Sequence, residues 1–398
     1  MLAHGTVDIG FQPVVDLVTQ RTVGFEALAR GPIGTELESP GALFDAAREA
    51  GRLDELDWLC QRNALRDALR AGLRAPSVLF DNVEADASGF LPLDLRGLYA
   101  EATAQMVVAV ELTERALLRR PASLLGRVAD MRALGCTLAL DHVGYASEPL
   151  AMMAVLSPDV VRLDLAELSA RPAGELAEVV DAVAAHAERS GATVLVERVE
   201  NEVQAELADA LGARLGQGWL YGGRERLVTA PAPPAERQVH AAFRRDPRDT
   251  TPFQLLSEGC EVRRASRTLL AGLSRHLEEQ ARAMGRSAVV VGAFEGGEAR
   301  FDDAARRRYA ELAREVAFCG AVGTGMPEEP ATGVRGGRIH EADPLAREWT
   351  VAVVSPHASV ALTASDPGTG GGRYDYALTH DRELAAAATA ALMARIAT

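Results

Sequence analysis

The chain has 398 residues, 56 acidic against 42 basic, and a formal net charge of -14, so its overall field repels nucleic acid. Every basic residue is arginine; the chain contains no lysine. No apolar run nears the roughly 20 residues that span a bilayer, Met1–Gly10 lacks signal-peptide character, and Cys60, Cys136, Cys260 and Cys319 show no zinc or disulfide spacing. These features predict a soluble cytoplasmic protein without nucleic-acid or membrane partners.

In chain order, strand-length apolar runs fall at Gly10–Val15, Thr22–Ala29, Ser77–Asn82, Met106–Glu111, Cys136–Asp141, Asp159–Asp164, Thr193–Glu197 and Arg214–Gln217. Helical periods lie between them, including Ala42–Leu73, Ala116–Leu134, Ala173–Ser190 and Glu202–Leu211. Runs such as VVAVE, TLALD and TVLVE suit strands buried on both faces. Eight strands interleaved with helices predict an α/β, modified (β/α)8 TIM-like barrel over residues 1–228. The polar turn Asp16–Arg21 predicts an opening hairpin, with the first strand antiparallel. Residues 229–251, with Ala230–Pro234 and Arg244–Asp249, read as a linker.

Residues 252–398 predict a smaller α+β unit. Helices are expected at Val262–Ala283, Asp302–Val316 and Arg382–Ile396. Strands are expected at Ala288–Phe294, Ala317–Val322, Thr350–Val354, Ser359–Ala364 and Tyr374–Leu378, in an antiparallel arrangement. Gly320–Gly325 and Gly368–Gly372 read as turns, and His357 and His380 as satisfied polar residues.

Polar groups recur at the ends of the predicted barrel strands: Glu26, Asn82, Glu111, Asp141, Asp164, Glu197 and Gln217. Such groups converge on one mouth of a barrel. Taken singly, an acidic residue after a strand is more often a helix cap. Capping favours Ser, Thr, Asn and Asp, however, and does not account for the repeated glutamates. An oxygen-rich cluster suits a hard divalent ion, Mg2+ or Mn2+, which could hold a phosphate against the acidic background.

The motifs resemble the EAL family of cyclic di-GMP phosphodiesterases. They are Glu26-Ala27-Leu28 with Arg30 and FQPVVDL, LFDN at Asn82, ELTE at Glu111–Glu114, LALD at Asp141, VVRLD at Arg162–Asp164, VERVE at Glu197–Glu200 and LGQGW at Gln217. The resemblance implies a barrel, often dimeric, that opens cyclic di-GMP to pGpG with divalent metal. It further implies metal ligation by Glu26, Asn82, Glu111, Asp141 and Asp164, with catalytic roles for Glu197 and for position 162. Gln12, Leu28, Arg30 and Gln217 match ligand-contacting positions; Glu114 and Glu200 match residues that support loops.

Four departures stand out: His142 where the family has a second aspartate, Arg162 for its lysine, Arg198 for a glycine, and Arg214 for an aspartate. His142 reads equally as a helix cap or a metal ligand, and Arg198 as an outward salt-bridge partner. Arginine keeps the charge of lysine, but its wide planar head cannot hold a water as a compact ammonium does. The expectation is a cyclic di-GMP signalling protein that binds with weak or absent hydrolysis. The alternatives are an active phosphodiesterase regulated by its C-terminal unit and a non-binding protein-interaction scaffold.

The second unit resembles the DICT sensory domain, through VVVGAFE, FDDAARRRYAELA, DPLAREWTVAVVSPH and YDYALTHDRELAAAA. That resemblance implies a protein partner or an unidentified small-molecule signal there.

Overall fold

The computed structural model describes residues 7–397, apart from 85–90, 113–116, 145–146, 235, 237–238, 240–245 and 369–371. By contacts the chain divides into two compact units. One comprises residues 1–115, 130–145 and 158–244; the other comprises 116–129, 146–157 and 245–398. No described helix is long and apolar enough to cross a membrane.

The N-terminal elements run β1 (Asp8–Asp16), β2 (Arg21–Arg30), α1 (Pro40–Glu49), α2 (Leu53–Ala71), β3 (Val78–Val83), α3 (Leu93–Thr103), β4 (Val107–Leu112) and α4 (Pro121–Ala133). They continue with β5 (Thr137–Leu140), α5 (Ser147–Leu156), β6 (Val160–Asp164), α6 (Leu165–Ser169), α7 (Ala173–Ser190), β7 (Thr193–Glu197), α8 (Glu202–Ala210) and β8 (Leu215–Gln217). The strands close a barrel in the order β1 to β8. The opening hairpin is as expected: β1 runs antiparallel to β2 and β8, and the remaining neighbours are parallel.

The single helix expected over Ala42–Leu73 is two. It breaks at Gly51, whose φ of 65° suits glycine and ends the first helix. Val239, inside the expected linker, is buried with the barrel core. The apolar register of the strands carries one further consequence. Phe80, Ala109, Ala139, Val160, Leu195 and Leu215 share that core. Two residues on, in every case, stands a polar group: Asn82, Glu111, Asp141, Arg162, Glu197 and Gln217. A strand repeats its facing every second residue, so the core layer fixes the next layer at the mouth.

The second unit contains α9 (Pro252–Gly259), β9 (Arg263–Ser266), α10 (Arg267–Met284), β10 (Val289–Ala293), α11 (Asp303–Glu315), β11 (Phe318–Thr324), β12 (Arg335–Ile339), β13 (Glu348–Val354), β14 (Ser359–Ser365), β15 (Arg373–Thr379) and α12 (Arg382–Met393). Its seven-stranded sheet has the order β12-β11-β10-β13-β14-β15-β9. The sheet is mixed rather than antiparallel, because β10–β11 and β11–β12 are parallel pairs. The expected helix Val262–Ala283 loses its first turn to β9, an edge strand on β15 in which only Ala265 is buried. Gly320–Thr324, expected as part of a turn, belongs to β11. Much of Gly368–Gly372 lies outside the described residues.

Thr251 caps α9 through a capping box with Gln254 and also donates to the buried Glu348 carboxylate. Burial pushes the Glu348 carboxyl up to about 6, against donation from Thr251 and the Phe253 amide. The folded state therefore holds this proton more tightly than the unfolded chain, whose ordinary value is 4.5. Its contribution is full below pH 4.5 and is lost as pH rises through 6, by about 2 kcal/mol. Glu348→Gln is expected to remove that slope from urea denaturation curves taken between pH 4.5 and 7; an unchanged slope would reject this source.

Candidate functional site

Glu26 forms the centre of the barrel mouth. Its Oε1 accepts from the Asn82 amide at 3.1 Å, and its Oε2 from the Gln217 amide at 2.6 Å. Gln217 also donates to Gln12 at 3.3 Å, so strands β1, β2, β3 and β8 meet through four side chains. Gln12 in turn donates to the Gly222 carbonyl at 3.2 Å. Gly218, just past Gln217, has φ 156°, and a Cβ there would come within 2.1 Å of the Val199 carbonyl oxygen. Only glycine lets the chain turn back so closely over the mouth.

Arg162, from β6, enters this group and is 1% exposed. Its Nε donates to Glu197 at 2.9 Å, and its Nη2 reaches Gln217 at 3.0 Å and Glu26 at 3.3 Å. Nη1 contacts Glu111, and Nε lies 3.5 Å from Asp141. The guanidinium carbon stands 5.9 Å from the Phe80 ring centroid, on the apolar layer below. One fixed cation thus touches four carboxylates.

The titration of the cluster follows from these contacts. Burial raises the Glu26 carboxyl, but the Arg162 charge and the Gln217 and Asn82 hydrogen bonds outweigh it and hold the group below its ordinary value. Glu197 goes the other way. Burial, with Asp141 and Glu26 nearby, lifts it well above the carboxylate range despite Arg162. Arg162 is stabilised as a cation by Glu197 and Glu26, against the cost of its burial.

The residues expected as metal ligands separate into two groups. Glu26, Asn82, Glu111 and Asp141 converge and are oxygen donors suited to a hard divalent ion. Glu111 is wholly buried, and its Oε1 is paired with Arg162 Nη1. Its carboxylate fits a cation, and Arg162 already provides one. Asp164 makes other contacts: its Oδ1 caps α6 by accepting from Ala166 N, and its Oδ2 pairs with Arg198 at 2.9 Å. His142 is turned to Asp141, with Nδ1 2.8 Å from Oδ2. His142, Asp164 and Glu167 form a separate group whose ligand atoms lie within 4.8 Å of one another.

Arg198 is 57% exposed and, with φ 58°, keeps a left-handed backbone that favours glycine. Arg214 does not belong to the mouth at all. It donates to Asp16 at 2.7 Å, where β1 ends beside the start of β8, at the opposite strand ends. Its identity therefore says nothing about the chemistry. Leu28 and Arg30 follow Glu26 on β2, both half-buried; Glu200 follows β7 and is exposed. Glu114 lies outside the described residues. Sequence reasoning missed Arg224, which reaches Gln12 at 3.4 Å and whose charge, after burial, depresses the Arg30 guanidinium. No motif marks it; it is brought in by the return of the chain after Gly222.

The EAL domain family model matches residues 1–223, more than half of the chain. The chain belongs to the EAL-domain family. A second model, the sensory domain in diguanylate cyclases and two-component systems, DICT, matches residues 254–367. YkuI of Bacillus subtilis, an EAL-domain protein, is 28% identical over 218 residues, 52% of this chain and 53% of that protein. The cyclic di-GMP phosphodiesterase RocR of Pseudomonas aeruginosa is 29% identical over 229 residues, 55% of this chain and 58% of RocR. The chain thus spans little more than half the length of these curated relatives. Klebsiella pneumoniae BlrP1, solved as a manganese and cyclic di-GMP complex, is 24% identical with a TM-score of 0.47, covering 55% of this chain and 56% of BlrP1.

Proposed function

We propose that this EAL domain is a cyclic di-GMP receptor whose hydrolysis to pGpG is weak or absent. The observation that carries the reading is Arg162, a buried guanidinium bonded among Glu26, Glu111, Glu197 and Gln217. A permanent cation there satisfies the carboxylates that would otherwise gather divalent ions. A Mg2+ or Mn2+ ion held by Glu26, Asn82, Glu111 and Asp141 would supply Lewis acidity and an activated water. Arg162 competes for the same oxygens. Burial and the neighbouring Asp141 and Glu26 raise the Glu197 carboxyl well above its ordinary value, against the Arg162 charge.

Ligand capture needs less. Arg30 and Arg224 are two adjacent guanidiniums whose charges repel each other, an arrangement that an anionic phosphate relieves. Gln12, bonded to Arg224 and Gln217, ties this pair to the barrel mouth. Arg30→Ala or Arg224→Ala is expected to weaken cyclic di-GMP binding about tenfold or more by calorimetry.

The deciding experiment follows binding by calorimetry and pGpG by chromatography, with Mg2+, Mn2+ or EDTA. Binding that survives EDTA, without product, supports the receptor. Metal-dependent pGpG that disappears in Glu26→Ala would instead establish the active phosphodiesterase, the reading favoured by the convergence of the Glu26 and Asn82 side chains with Glu111 and Asp141 around one cation.

A further inference from the structure

The C-terminal unit contains a cavity of about 220 Å³ bounded by α10, α11, the turn after β10 and the start of β13. At its buried floor are two hydroxyls, Tyr309 Oη and Ser274 Oγ, neither of which has a hydrogen-bond partner. Tyr309 is fully buried and Ser274 is 5% exposed. Folded proteins rarely leave buried hydroxyls unpaired without a ligand, water or functional reason. Room for one of them is built in: a Cβ on Gly292, in the middle of β10, would come within 2.3 Å of Tyr309 Oη. Burial keeps that phenol protonated, and thus able to donate.

The walls are aromatic. Phe294 meets Tyr309 edge to face at 5.4 Å, and Trp349 faces the cavity under the Arg267 guanidinium, also at 5.4 Å. The rim carries Arg267, Arg275 and Arg300, none of which forms a close salt bridge among the described residues, although the Arg275 charge acts on Glu278. Arg267 contacts Tyr374 Oη, and Arg275 donates to the Ala271 carbonyl. The acids at the cavity are already engaged: Glu278 with Arg308 at 3.0 Å, Glu295 with Tyr374 at 2.9 Å, and Asp302 with the Ala305 amide at 2.8 Å. In a chain of net charge -14, four arginines against three carboxylates around one opening leave a local excess of positive charge that favours an anion.

From this layering of guanidinium rim, aromatic wall and unpaired hydroxyl floor, we propose that the C-terminal unit binds a small hydroxylated aromatic carboxylate. The carboxylate meets the arginine forks, which match its planar geometry. The ring lies against Phe294 and Trp349. The ring hydroxyl reaches Tyr309 and Ser274 and supplies the partner they lack. The volume lies below the roughly 300 Å³ at which sites for drug-sized molecules begin, which selects a single-ring ligand.

The test uses the full chain without cyclic di-GMP, so its outcome does not depend on the barrel. Calorimetry and quenching of Trp349 fluorescence compare 4-hydroxybenzoate with benzoate, 4-hydroxybenzamide and inorganic phosphate. The expected result is that 4-hydroxybenzoate binds about tenfold tighter than either benzoate or the amide. Arg275→Gln and Arg300→Gln should each weaken it about tenfold. Tyr309→Phe removes a hydroxyl that bonds to nothing in the free protein. Its melting temperature should hold or rise, while its affinity for 4-hydroxybenzoate falls to that for benzoate. Failure of 4-hydroxybenzoate to bind would overturn the proposal. Equal binding of the amide would reject the role of the arginines, and equal binding of phosphate the role of the ring.

Discussion

Arg162→Met is expected to destabilise the barrel by about 3–5 kcal/mol in EDTA, with much of the loss recovered when Mn2+ is added. The substitution keeps most of the apolar stem, so the change isolates the charge. Removing it leaves Glu26, Glu111, Glu197 and Asp141 facing one another in a nearly dry layer, above a core that water does not enter. Carboxylates so placed must either repel or take up protons, and both weaken the folded state at neutral pH. A divalent ion offers them the other remedy. At a concentration of 100 times its dissociation constant it returns about 2.7 kcal/mol. The measurement is urea denaturation of both proteins, with EDTA and with Mn2+. Equal stability of the two in EDTA would show that Arg162 does not hold the cluster together. A variant that weakens as expected but ignores Mn2+ would show that the oxygens cannot gather an ion even when the guanidinium is gone.

Most of the barrel was legible because both its signals are local. Continuous apolar runs mark strands buried on two faces, and polar residues at the same end of each run mark the mouth. Arg162, flanked by Val161 and Leu163 on an interior strand, is expected inside, and it is buried. What the pattern cannot predict is the reach of the side chain. Whether a guanidinium meets four carboxylates or one depends on partners brought from β2, β4, β7 and the end of β5, far apart in the sequence. Asp164 carries a related ambiguity. A carboxylate at a strand end can serve a cluster or cap the next helix, and Asp164 accepts from the first amides of α6, Ala166 and Glu167.

Arg214 shows the limit of motif comparison: its position relative to LGQGW suggested the mouth, whereas the direction of β8 places it at the other end, against Asp16. In the second unit, β9 was hidden because RRAS buries one side chain and owes its conformation to pairing with β15. Arg224 and the Tyr309 cavity had no local signal at all. Both are made by chain return and by an absent Cβ, at Gly222 and Gly292 respectively.

Arg162→Lys is expected to raise Mn2+-dependent conversion of cyclic di-GMP to pGpG at least tenfold, a change of about 1.4 kcal/mol in the barrier. Lysine conserves the charge while shedding the planar fork. Its ammonium can hold one or two of the present partners, but not Glu197, Gln217, Glu26 and Glu111 together, as the guanidinium does. Oxygens of Glu26 and Glu111 then become free for a metal, and space opens for a water beside it. Stability should fall far less than in Arg162→Met, because a cation remains in the layer. The His142→Asp exchange, made alone and in combination, separates the two possible blocks. Activity in Arg162→Lys alone assigns the block to the guanidinium. Activity only in the double variant assigns it jointly to His142, whose imidazole is turned to Asp141 and adds no negative charge for a second ion. Silence in both, with cyclic di-GMP still bound, would mean that the deficit lies outside this layer, and the inhibitory role given to Arg162 would fall.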